Sequence, residues 1–202
     1  MSHKPDEVTA KDAGGGFAPH REGQFAMLCV DVVDLGTNVE TYAGQEPREV
    51  AKVALVFASG ERQTLVPESE LTLVTTEMTN SANEKANLRK FLEAWRGKPY
   101  SPDQAAAGLP LAKLHGKFAL ISIAHVLTRK NRPFAQIASV APLPAQIPPP
   151  DAKALLAEYE RPKFLTDRKA QYAEALKKHR GTNGDEPPPP ENPGDEDDDI
   201  PF

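Results

Sequence analysis

A mainly β domain with one internal helix is the fold class this sequence predicts, and three observations predict it. Five runs rich in apolar and β-branched residues are bounded by turn signals. One strongly amphipathic stretch falls between the third and fourth of them. Both ends of the 202-residue chain are too polar to build a core. Residues 1–22 contain Gly14-Gly15-Gly16 and read as a flexible N-terminal arm. Residues 182–202 contain Pro187 to Pro190 and then acids, and read as a disordered acidic tail. That leaves 23–142 as the segment able to bury a sizeable interior. Residues 143–181 read as a Pro-rich linker and helical extension.

Gln24 to Leu35 is a long first strand, closed by a turn at Gly36-Thr37-Asn38. Long, bent first strands are common in small barrels, where one strand serves both halves of the sheet. Val50 to Phe57 is the second strand, followed by the turn Ala58-Ser59-Gly60-Glu61, and Leu71 to Thr76 is the third. Ser81 and Glu84 have the spacing of a capping box. Leu88, Phe91, Leu92 and Trp95 then recur as one apolar helical stripe, with Gly97 as left-handed cap and Pro99 as stop. Lys117 to Val126 is the fourth strand and Phe134 to Val140 the fifth, joined by the basic loop Leu127 to Pro133.

Strand, strand, strand, helix, strand, strand is the order of an OB-fold, a five-stranded Greek-key barrel with a helix between strands 3 and 4 that often binds oligonucleotides. Beyond it, Ala141 to Pro150 is a stiff polyproline-like linker. Asp151 caps a short helix ended by Pro162, and Thr166 to Arg180 forms another helix closed by Gly181. Its apolar stripe (Leu165, Tyr172, Leu176) is thin. The expectation is light packing on the barrel or a helix free in solvent, with self-association as an alternative.

The net charge of −5 conceals a strong asymmetry. Residues 185–202 hold eight acids and no base, whereas 83–132 hold ten bases against three acids. A basic body with an acidic arm suits a polyanionic ligand. Cys29 is the lone cysteine, which excludes a disulfide framework and fits a reducing cytoplasm. No apolar run approaches the ~18 residues of a membrane span, and the N-terminus lacks the order of a secretory signal.

The tail ends on Ile200-Pro201-Phe202 after five consecutive acids, Asp195 to Asp199. Nothing local can bury these apolar residues. The pattern points to an apolar tip that enters a pocket on another protein while the carboxylates meet basic residues around its rim. Asp199-Ile200-Pro201-Phe202 resembles, residue for residue, the ending of bacterial single-stranded DNA-binding proteins. In that family the tip recruits replication, recombination and repair enzymes, so the resemblance implies partner binding by Asp197, Asp198, Asp199, Ile200, Pro201 and Phe202. It is confined to the tail. The core resembles phage-encoded single-stranded DNA-binding proteins in Asp34-Leu35-Gly36-Thr37, in Leu88 to Gly97 and in Ile123-Ala124-His125-Val126. That likeness implies a phage-encoded protein in the cytoplasm of a bacterial host.

Holding a single strand takes a basic groove and aromatic faces for stacking, each worth about 1–3 kcal/mol per base. The cationic candidates are Lys52 on the second strand, Lys85, Arg89 and Arg96 on the helix, Lys98 after it, and Arg129, Lys130 and Arg132 in the loop between strands 4 and 5. Tyr42, Tyr100 and Phe134 sit beside turns and bases and are the stacking candidates. Phe25, Phe57, Phe91, Trp95 and Phe118 read as core.

Enzymatic chemistry leaves little trace. The histidines at 3, 20, 115, 125 and 179 are scattered, with His3 and His20 in the flexible arm, and none has metal-ligand spacing. Asp31 and Asp34, three apart on a strand, point to opposite faces. The expectation is a non-enzymatic protein without cofactor. Two alternatives are a mimic that sequesters host repair enzymes through the tip and a small nuclease with a diffuse site.

Overall fold

The first apolar run becomes an 18-residue strand, β1 (Gly23–Glu40), which continues past the turn expected at Gly36-Thr37-Asn38. Residues 19–41, 45–62, 71–128, 131 and 133–183 are described by this computed structural model. Gly36 adopts φ 79° and its N–H donates to Asp34 Oδ1 at 2.9 Å. Pairing slips there and again between Cys29 and Asp31. The expected turn is therefore a β-bulge, which bends a strand without ending it.

The bend gives β1 two partners. Gly23 to Leu28 pairs with β4 (Phe118–Leu127), and Leu28 to Glu40 pairs with β2 (Arg48–Arg62). This is the shared first strand that its length anticipates. β2 likewise runs through the turn expected at Ala58 to Glu61, with Gly60 at φ 88° and irregular pairing between Ala58 and Arg62. β3 (Leu71–Thr79) pairs with β2, and β5 (Pro133–Ala141) with β4. The result is one five-stranded antiparallel sheet in the order β3-β2-β1-β4-β5. Its two edge strands approach each other, and the helix α1 (Asn87–Arg96) touches both.

The start of α1 differs from expectation. Ser81 Oγ accepts from the Asn83 N–H, and Asn83 Oδ1 accepts from the Lys85 N–H. These two side-chain turns spend the capping chemistry outside the helix. α1 begins instead after Ala86, with no side-chain cap. A complete capping box joins Ser101 and Gln104 at the start of α2 (Pro102–Ala106), an element not expected from the sequence, as is the 3-10 turn at Leu111–Leu114. Gly97 ends α1 at φ 69°, as its position predicts.

The sheet carries an apolar layer on each face. On the inner face Leu88, Leu92 and Trp95 of α1 pack on Leu55, Phe57 and Ile121. Trp95 also meets Phe57 edge-on and donates its indole N–H to the Phe118 carbonyl at 2.8 Å. The outer face is covered by α3 (Ala152–Glu158), capped by Asp151, and α4 (Lys163–Asn183). α4 starts three residues before the expected Thr166 and passes through Gly181. Leu155, Leu165 and Tyr172 are buried against Leu28, Val30 and Val56. The C-terminal helices thus form a full second layer along β1, more than the light packing expected of so thin a stripe. Burial on both faces explains why the middles of β1 and β2 read as nearly unbroken apolar runs.

Candidate nucleic-acid interface

The cations singled out from the sequence divide into committed and available groups. Lys52, only 9% exposed, forms an ion pair with Glu40 and a hydrogen bond to Thr79 Oγ1. Arg89 binds Glu93 through Nε and donates to the carbonyls of Ala82 and Tyr100, tying α1 to the chain on both sides. Both serve internal contacts. Glu93 also accepts from the Tyr100 N–H, and these two partners hold its carboxyl below the usual range. Arg96 lays its guanidinium over the Tyr100 ring, 3.9 Å from the centroid. Tyr100 itself packs on the inner core, so the face beneath Arg96 is already occupied. Lys85 and Lys98 are exposed.

Tyr42, Arg129, Lys130, Arg132 and the tip Asp197, Asp198, Asp199, Ile200, Pro201 and Phe202 lie outside the described residues. The strand ends that carry the basic loop are described. Leu127 is 67% exposed at the end of β4, and Phe134 is 51% exposed at the start of β5.

Phe134 opens onto a groove of about 1600 Å³. β3 from Leu71 to Glu77 lines it, with β5 from Pro133 to Ile137 and the α3–α4 junction from Glu158 to Leu165. Arg62 and Arg168 also line it. A second exposed aromatic, Phe164 at 52%, belongs to the junction. Nothing in the sequence marks it, because a lone phenylalanine after Pro162 in a thinly apolar segment carries no pattern. The groove's cations are Arg62, Arg161, Lys163 and Arg168, and its acids are Glu77, Glu158 and Glu160. Arg62 pairs with Glu158, and Arg168 with Glu77 at 3.4 Å. Both arginines are nearly half exposed. The Arg168 pair is long and solvated, so its guanidinium can exchange partners at small cost, whereas Arg62 holds Glu158 through both guanidinium nitrogens.

The junction is held in place by Asp31, at the bulge of β1. Arg161 donates to both its oxygens, at 2.8 and 3.1 Å, and the Tyr159 hydroxyl donates to Oδ2 at 2.7 Å. Burial opposes the charged carboxylate, but the Arg161 and Tyr159 hydrogen bonds outweigh it and lower the Asp31 pKa. Burial and the same carboxylate push the Tyr159 hydroxyl well up. Asp31 thus acts as a structural anchor. Asp34 is exposed and turned to its own backbone, so the two carboxylates do not converge.

At the sheet end near β1's start, His20 departs from its expected place in a flexible arm. It is buried, with Nε2 2.7 Å from Ser59 Oγ and Nδ1 3.0 Å from the Arg21 carbonyl. His125 Nε2 meets the His20 carbonyl at 2.7 Å, a satisfied structural contact. Burial pushes the Cys29 thiol up to about 12, which leaves it unreactive. Among the described residues no three histidine, cysteine or acidic side chains converge as metal ligands.

Set against protein-family models, curated proteins and solved structures, the chain matches none.

Proposed function

We propose that the protein binds and protects single-stranded DNA during replication, recombination and repair, and recruits partner enzymes through Asp197 to Phe202. It has no enzymatic role in this reading. The observation that carries it is the exposed Phe134, which lines the groove directly after a basic stretch of sequence. Arg129, Lys130 and Arg132 are chain neighbours of Pro133 and Phe134, which line it. Phosphates need a cationic border and unpaired bases need aromatic faces, and the sequence from Arg129 to Phe134 carries residues of both kinds.

Two further features support the reading. The sheet order fits an OB-fold, and the approach of β3 to β5 under α1 is where a Greek-key barrel would close. No helix among the described residues is long and apolar enough to cross a membrane. With the lone buried Cys29, the tail and the phage-like core segments, we infer a phage-encoded protein working in the cytoplasm of a bacterial host.

Fluorescence anisotropy with labelled oligo(dT) tests this. Tight binding that weakens as salt rises is the expected result. No binding overturns it in favour of a mimic that only sequesters repair enzymes. Shortening of the oligonucleotide in the presence of a divalent metal overturns it in favour of a nuclease.

A further inference from the structure

We infer that the α3–α4 junction is one wall of the strand-binding site, with Phe164 as a base-stacking face and Lys163 as a phosphate contact; this rests on the single-strand reading above. Among the described residues only four large apolar side chains are well exposed: Val126, Leu127, Phe134 and Phe164. The two aromatic ones are 30 positions apart in sequence and stand on different elements, yet both line the same groove. Single exposed apolar residues need no explanation. Two exposed phenyl rings from separate walls of one groove are what a flexible chain of flat bases can use.

The charges beside Phe164 fit the same ligand. Lys163 is exposed and has no ion pair among the described residues. Arg168, one turn further along α4, is nearly half exposed and held by two long contacts, to Glu77 at 3.4 Å and to the Tyr172 hydroxyl at 3.5 Å. A polyanion passing Phe164 would therefore meet one uncommitted ammonium and one weakly committed guanidinium. The wall is also preorganised. Tyr159 and Arg161, three to five residues before Phe164, are fixed to β1 by Asp31, and Leu165 next to it is buried against the outer core. A ring standing on an anchored segment loses little freedom when a base covers it. The C-terminal helices then belong to the binding site as well as to the fold.

The test compares full-length protein with the F164A, F164W and K163A variants, using labelled oligo(dT) across a salt series. Phe164 is half exposed, so unchanged thermal unfolding of F164A establishes that its fold is intact. F164A should weaken binding by about tenfold or more and leave the salt slope alone, whereas F164W should retain affinity. K163A should reduce the salt slope by about 0.7. If wild type binds tightly and F164A binds equally well, the junction is no wall of the site and the inference fails while the single-strand reading stands. If wild type does not bind at all, the reading itself fails and this inference with it.

Discussion

Arg161 grips Asp31 through two hydrogen bonds, 2.8 and 3.1 Å long, across 130 residues of chain. The contact joins the bulge that bends β1 to the junction that forms one side of the groove. Sheet geometry and groove geometry therefore depend on the same carboxylate.

D31A should destabilise the fold by about 1–2 kcal/mol in urea unfolding, a charged hydrogen-bonded pair discounted for the half-exposed Arg161. The pH dependence follows from the lowered Asp31 pKa. Its contribution is complete above the unfolded carboxylate value of about 4 and fades as pH falls through the lower folded value. The gap between wild type and D31A should be constant from neutrality to about pH 5 and narrow at more acid pH. A gap that widens on acidification would contradict this assignment.

L165A examines the second layer. Leu165 is 2% exposed within the outer core, and truncating a buried leucine costs about 2–4 kcal/mol. A cost well below about 1 kcal/mol would mean that α4 lies loosely on the sheet.

Much of this fold was legible in the sequence. The five strands, the stripe of Leu88, Phe91, Leu92 and Trp95, the cap at Gly97 and the cap at Asp151 follow from local rules, and the structure contains them. Structure and expectation part where a local signal has a second physical outlet. Ser81 and Glu84 have the spacing of a capping box, but Ser81 and Asn83 close tight turns instead. Gly36 signals a turn and makes a bulge. Lys52 reads as a surface cation because its partner, Glu40, comes from the neighbouring strand. Leu165 and Tyr172 look like a weak stripe because their value lies in the apolar outer face of β1, which alternation in β1 does not reveal when both faces are covered. Phe164 gave no signal, since exposure in a groove is a property of assembled elements.

Replacing Arg129, Lys130 and Arg132 together by alanine should weaken oligo(dT) binding and reduce the magnitude of the log–log salt slope by about 2, three phosphate contacts at about 0.7 each. Thermal stability should hardly change. An unaltered slope would remove this loop from the phosphate contacts.

Deleting Ile200, Pro201 and Phe202 separates the two activities. Affinity for oligo(dT) should persist, while capture of replication and repair enzymes in a pull-down should be lost. Equal capture by the truncated chain would show that the tip is not the hook.

The most direct measurement is photocrosslinking to an oligonucleotide carrying 5-iododeoxyuridine, followed by mapping of the modified peptides. The expected adducts fall on peptides containing Phe134, Phe164 and the 129–132 loop. Adducts confined to the far end of α4, around Lys177 to Arg180, would contradict the groove as the path of the strand.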